Sequence, residues 1–323
     1  MKGIFENWQG KWPDAYVIKV LKDVGLKEPP FDELVIADSL GIKVIQYPDP
    51  TKEPVPYHLN AALPWLLESG TFMKKEGDKR IIFTPAFVAP TKIRMNIFHE
   101  CGHAILPWHD GQCYLCKEKD LEGKAQKLIE REAFFCAASF LMPRGQFTKN
   151  ILDLNVTSFA AIQMLKERYY VSFEAAANWF VQNNPGICAL VMIEPTSLDD
   201  PEMSEVEVIA EDQTSLKVGQ PDVFYNCEEP TESPLKVSYS IRSRRFPDRI
   251  KRNLGISTDS PFYTAWVSGK GIIGEISAIE LGLFDRAPLR YECRPIGFRQ
   301  RLMILLWEED KQQFWIQPGP LAA

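Results

Sequence analysis

No run of about 18 apolar residues occurs in this sequence, so no segment is a candidate for a helix that crosses a bilayer. The opening stretch, "MKGIFENWQGKWPDAY", has neither a long apolar core nor a small-residue cleavage site. The expectation is therefore a protein with no membrane partner and no secretory signal, at work in the cytoplasm. Cysteine is sparse and odd in number, seven residues in 323, which argues against a disulfide framework and leaves metal binding, redox chemistry or plain burial. Positive charge is not in excess either. A net charge of −6 gives no global attraction for nucleic acid or an anionic membrane. The local exception, "IRSRRFPDRIKRN" at 241–253, reads as a solvated face because it carries no recognised nucleic-acid motif. Internal repeats and low-complexity linkers are also missing. Histidine is the scarcest informative residue: there are four, and three of them fall in "IFHECGHAILPWHDGQCYLC", residues 97–116, together with three of the cysteines.

What is present, 45% hydrophobic and 25% charged residues over a length that suffices for two domains, is ordinary for a globular protein. Apolar residues in "AYVIKVLKDVGL" recur at helical spacing and stop at Gly25, a fitting position for a left-handed helix end. Asp32 opens a second short helix that closes at Gly41, and "IKVIQY" then alternates like a strand. "RIIFTP" at 80–85 reads as another strand. A helix follows from Pro90-Thr91, with Thr91 as its expected cap, and it ends near Leu106 because Pro107 disfavours helical geometry before it. "LEGKAQKLIEREAFFCAASFLMP", "SFAAIQMLKERY" and "SFEAAANWFVQN" are helix-compatible, the last with Ser172 as N-cap. Beyond Pro185 the texture changes. "ICALVMIEP", "EVEVIAE", "LKVSYSI", "FYTAWV", "LRYECRPI" and "RLMILLW" read as strands, "SGKGIIGE" as a glycine-rich turn, and the buried strands suggest a closed sandwich or barrel.

His99 and His103 are four residues apart in the helix expected from Pro90, so both imidazoles leave one face and reach one ion. Glu100 lies beside the first, offset enough to face a water on that ion without binding it, which is the place of the general base in H-E-x-x-H metallohydrolases. A catalytic zinc needs a third protein ligand. His109 has metzincin-like spacing after His103, but Leu106 stands where those enzymes turn on a glycine. Glu130 is the preferred ligand. In the downstream helix it shares a face with Ala133, Phe134, Ala137 and Leu141, and the small residues let another helix come close, whereas Glu132 points roughly the other way.

"RMNIFHECGHAIL" followed by "IEREAFFCAASFLMPRGQF" resembles the ImmA/IrrE family of metallopeptidases, in which an arginine-led helix enters H-E-x-G-H and a second helix has the form E-x-x-A-N-x-F-A-x-x-L-L-M-P. Arg94, His99, Glu100, Gly102, His103, Glu130, Ala133, Ala137, Leu141, Met142 and Pro143 carry the match, and with "GLKEPPFDELVIADSLGIKVIQYP" the resemblance covers about residues 10–150. It implies a cytoplasmic zinc endopeptidase, with His99, His103 and Glu130 on the metal and Glu100 as base. The implied substrate is a helix-turn-helix repressor, whose cleavage would relieve repression of a mobile element or stress regulon. Phe134 departs from the family's Asn or Asp, removing a polar group that could orient a ligand histidine. Cys136 stands where Phe is usual, and an insertion carrying Cys113-x-x-Cys116 separates the two ligand helices.

The Cys113/Cys116 pair admits a packed turn, a redox pair, or a second zinc with His109 as a further ligand. His58, with Tyr57 beside it, is a candidate to line the cleft and donate to the oxyanion. The fold expected is α+β: a zincin-like metallopeptidase domain over 1–147, a helix-turn-helix-like helical segment over 148–184, and a β-rich, possibly sensory domain over 185–323. The rival reading is a non-proteolytic regulator that uses a zincin fold to hold a repressor or antitoxin. Direct nucleic-acid binding is not expected, because "SFEAAANWFVQN" carries no Lys or Arg for a recognition helix.

Overall fold

Asp32 shows how local chemistry fixes the first elements: its carboxylate accepts from the backbone N–H groups of Leu34 at 2.8 Å and Val35 at 3.2 Å, satisfying donors that a helix start leaves open. The helix it caps is α2 (Glu33–Ser39), which follows α1 (Lys11–Val24); α1 ends at Gly25, whose φ of +78° is costly for any residue with a β-carbon. The computed structural model describes residues 11–49, 71–76, 79–109, 123–196, 234–246, 249–283, 287–296 and 301–308. They fall into two compact units. The first comprises Met1–Asp153 with Ile162–Trp179, and the second Leu154–Ala161 with Phe180–Ala323.

In the first unit, β1 (Ile42–Tyr47) pairs in parallel with β3 (Lys79–Pro85), whose other side takes β2 (Phe72–Glu76) antiparallel. β3 is thus central, and its Ile82 and Phe83 are buried accordingly. The helix bearing the H-E-x-x-H residues is α3 (Pro90–Ile105). Its cap is not Thr91: the helix begins a residue earlier, with Ala89 at the N-cap and no side-chain cap bond. Pro90 explains this, because proline is preset for the first helical turn and has no N–H to leave unsatisfied there. At the other end Leu106 is extended ahead of Pro107, and a 3₁₀ turn, Pro107–His109, follows.

Four further helices complete the helical part: α4 (Gly123–Leu141), α5 (Arg144–Leu154), α6 (Phe159–Tyr169) and α7 (Phe173–Asn183). Ser172 caps α7, its hydroxyl accepting from Ala175 N–H at 3.1 Å. Two contacts hold α3 in place. Arg80 on β3 donates to the Ala104 carbonyl at 3.0 Å, meeting an open acceptor at the helix C-terminus. Arg94, on the first turns of α3, donates to the carbonyls of Phe31, Tyr169 and Tyr170 and to the Glu33 carboxylate, with distances from 2.6 to 3.2 Å. One buried guanidinium therefore ties α3 to the start of α2 and the end of α6.

The second unit is an antiparallel sheet of six strands, in the order β6-β5-β4-β9-β8-β7. In chain order these are β4 (Cys188–Pro195), β5 (Leu235–Arg242), β6 (Gly255–Ile256), β7 (Ile272–Ile276), β8 (Leu289–Ile296) and β9 (Arg301–Trp307). Two expectations fail here. "FYTAWV" is not a strand but lies in α8 (Pro261–Ser268), because Ser260 caps it, Pro261 opens it and Gly269, at φ +63°, closes it. Those terminal signals outweigh the β preference of its aromatic and branched residues. "SGKGIIGE" contributes β7 rather than a mere turn, with Gly274 opposite Tyr291 in the ladder. A β-carbon there would stand 3.0 Å from the Tyr291 hydroxyl oxygen, so the glycine leaves room for that ring. Among the described residues the sheet is open, with β6 and β7 at its edges, rather than a closed sandwich or barrel. "EVEVIAE" lies outside the described residues.

Candidate metal centre

The approach of α3 to α4 builds the site. Gly102 is what allows it: a β-carbon there would lie 2.9 Å from both the Ala133 carbonyl oxygen and the Cys136 β-carbon. One turn along the same face, Phe98 and Phe140 stack with ring centroids 5.2 Å apart. Glu130 is thereby carried over the two histidines of α3. His99 Nε2 lies 3.1 Å from a Glu130 carboxylate oxygen and 3.2 Å from His103 Nε2, while the second Glu130 oxygen lies 3.6 Å from His103 Nε2. The three prospective donor atoms all fall within 4.8 Å of one another, and this is the one such cluster found among the described residues.

Two imidazole nitrogens and a carboxylate oxygen are a donor set suited to zinc, leaving a fourth position of a tetrahedron for water or substrate. The side chains fit that use electrostatically. Burial lowers the His103 pKa to about 4, with contact to Glu130 working the other way, so its imidazole is neutral and carries a lone pair at neutral pH. Burial alone would raise Glu130, but the hydrogen bonds with His103 and His99 prevail and hold it well below the usual carboxylate range.

Glu100 is not among the donors. Its side chain is buried, and burial pushes its pKa up to about 7; the charge of Glu130 adds to the rise, while His99 and a hydrogen bond from the Met73 backbone N–H oppose it. A carboxyl poised near neutrality beside a metal locus suits proton transfer.

Of the other residues marked out by the sequence, Tyr57, His58, Cys113 and Cys116 lie outside the described residues. A second zinc at the cysteine pair therefore gains no support. His109, expected either as an alternative third ligand or as a partner of those cysteines, is buried and is not in the His99–His103–Glu130 cluster: its Nδ1 is 3.1 Å from His103 Nδ1, and its Nε2 is 2.9 Å from the Glu132 carboxylate. The reason is the 3₁₀ turn after Leu106, which directs the ring to the rear of His103 rather than to its Nε2 side. Cys101 and Cys136 are buried free thiols that burial pushes far above their ordinary range, which leaves them protonated and inert as ligands.

Sequence reasoning missed Glu132. It faces away from Glu130, as helical spacing requires, yet it is buried and also accepts from the Trp108 indole at 2.6 Å. Phe134 packs on His99 with ring centroids 4.3 Å apart, and His99 Nδ1 is buried without a hydrogen-bond partner among the described residues.

No curated protein matches the chain significantly. Among solved structures, one described as a Mycobacterium tuberculosis transcriptional regulator is similar, with a TM-score of 0.50 and 11% sequence identity over 92% of this chain and 76% of that one, a likeness of fold. Residues 37–179, which include α3 and α4 with all three prospective ligands, match the family model of the IrrE N-terminal-like domain. The chain therefore carries, over those residues, a domain of the ImmA/IrrE family of metallopeptidases.

Proposed function

We propose that the protein is a zinc-dependent endopeptidase acting in the cytoplasm, and that its substrate is a helix-turn-helix repressor whose cleavage relieves repression in a stress response or a mobile element. The observation that carries the reading is the convergence of His99, His103 and Glu130 next to a buried Glu100 that is not itself a donor. A site built only to bind a structural ion has no need of a second carboxyl poised near pH 7.

In this reading His99, His103 and Glu130 hold the zinc, which supplies a Lewis acid for the scissile carbonyl and lowers the pKa of water. The Glu100 carboxylate takes the proton of the attacking water and returns it to the leaving amide nitrogen. The Met73 N–H that reaches Glu100 belongs to β2, whose ladder partner among the described residues is β3 alone. The outer edge of β2 therefore runs beside the base, and an extended substrate segment added to that edge would lay its backbone across the site. The β-rich part over 185–323 is assigned the regulatory role, and the helices of 148–184 connect it to the peptidase domain of 1–147.

A docking function without cleavage has one observation in its favour, the His99 Nδ1 left without a polar partner against Phe134, which weakens one ligand. The test is intact-mass analysis of a helix-turn-helix repressor encoded beside this gene after incubation with the protein and zinc. Two fragments summing to the repressor plus one water, lost with Glu100→Gln, support the peptidase. An uncut repressor that still co-purifies with both forms favours docking.

A further inference from the structure

The two histidines of the site differ in what stands behind them. His99 has an apolar ring at its back, whereas His103 heads a row of polar groups, His103 Nδ1 to His109 Nδ1 at 3.1 Å and His109 Nε2 to Glu132 Oε2 at 2.9 Å. The same Glu132 oxygen accepts the Trp108 indole N–H. His103, His109 and Glu132 are each at most 3% exposed, so water does not readily replace these bonds, and leaving one unmade is costly.

This row has a direction. A carboxylate only accepts, so His109 must present Nε2–H to Glu132. A neutral His109 then has a bare Nδ1, which accepts from Nδ1–H of His103. With its proton on Nδ1, His103 keeps the lone pair on Nε2, the atom that faces His99 Nε2 and Glu130. The opposite tautomer of His103 would set two bare Nδ1 atoms 3.1 Å apart and turn an N–H toward the prospective metal.

We propose that His109 and Glu132 are positioning residues: Glu132, acting through His109, fixes the Nδ1–H tautomer and the ring orientation of His103, and so aims its Nε2 lone pair at the metal. The proposal rests on the metal reading of the site given above. A ligand histidine backed by a carboxylate is familiar; here a second histidine is interposed, and it reaches His103 from the turn just beyond α3 rather than from a separate element. Donation of the His103 Nδ1–H into this chain leaves more electron density on the ring, which also makes Nε2 a stronger donor to the metal.

The test uses the full chain, labelled with ¹⁵N-histidine and freed of metal, in long-range ¹H–¹⁵N correlation at neutral pH, paired with zinc affinity from competition against a chelator. Wild-type His103 is expected to carry its proton on Nδ1. In His109→Phe, which refills the buried volume, His103 shifts toward the Nε2–H tautomer and zinc affinity falls about 10- to 100-fold; Glu132→Gln, which keeps the shape, gives a smaller loss with the same direction. An Nε2–H tautomer in the wild type overturns the proposal, and so does wild-type zinc affinity in a folded His109→Phe chain. If His109→Phe fails to fold by circular dichroism, Glu132→Gln decides alone, and an unchanged tautomer with unchanged affinity overturns it. A wild-type chain that binds no zinc sinks the metallopeptidase reading instead, while the His103 tautomer of the metal-free protein still decides the hydrogen-bond row.

Discussion

A β-carbon at Gly102 would stand 2.9 Å from the β-carbon of Cys136, closer than two such atoms approach in proteins, so the second-last residue of H-E-C-G-H sets the spacing of α3 and α4. Gly102→Ala must push the helices apart by several tenths of an ångström. Overpacking of this kind costs roughly 1–3 kcal/mol. It also carries Glu130 away from His99, so zinc affinity falls together with thermal stability. Cys136→Ala in the same chain does not restore either, because the clash is with the β-carbon and with the Ala133 carbonyl. Thermal melts and chelator competition check both statements.

Glu100 makes the metal-free protein sensitive to pH. Its carboxyl titrates near 4.5 when unfolded and near 7 when folded, so in that window the folded chain holds a proton that the unfolded chain has lost. Its contribution to stability is present in full below about pH 4.5 and is lost as pH rises through about 7. A shift of this size is worth roughly 3 kcal/mol. Glu100→Gln removes the dependence: its melting temperature, in the presence of chelator, exceeds that of the wild type at pH 8 and converges on it toward pH 5. Parallel curves would show that Glu100 is not held protonated.

Phe134→Asn places a polar group beside the Nδ1 of His99, which has no hydrogen-bond partner among the described residues. Since an outer partner for a ligand histidine is worth about 10-fold or more in affinity, the variant binds zinc more tightly than the wild type. Affinity at or below the wild-type value would mean that the aromatic contact orients His99 as well as a hydrogen bond does.

Arg94 reaches three carbonyls and a carboxylate at the start of one helix and the end of another while itself almost wholly buried. Arg94→Ala leaves those acceptors unpaired and costs about 3–5 kcal/mol. Arg94→Lys is also destabilising, because one ammonium cannot replicate a fork that spans acceptors in three directions. Denaturant unfolding measures both.

The convergence of His99, His103 and the distant Glu130 is legible in the sequence because helical period fixes which side chains share a face, and because small residues announce where helices meet. Asp32, Gly25 and Ser172 were legible for a similar reason, since capping is chemistry between near neighbours. What was hidden depends on distance along the chain. Glu132 looked like the back of its helix, and only the turn at Pro107–His109 gives that back a partner. The helix over Pro261–Ser268 was hidden differently: its composition favours a strand, and the decisive signals are the serine-proline before it and the glycine after it. Thr91 was a plausible cap displaced by the proline next to it.

The allocation of Leu154–Ala161 to the second unit, while the residues on both sides of it belong to the first, means that the backbone passes between the units three times. No single cut therefore yields two intact halves, and a protease that nicks one connection leaves the others joined. The same holds over generations. A recombination event with one breakpoint after Trp179 could exchange the six-stranded sheet but would leave Leu154–Ala161 of the old unit behind, so no single breakpoint replaces the second unit whole.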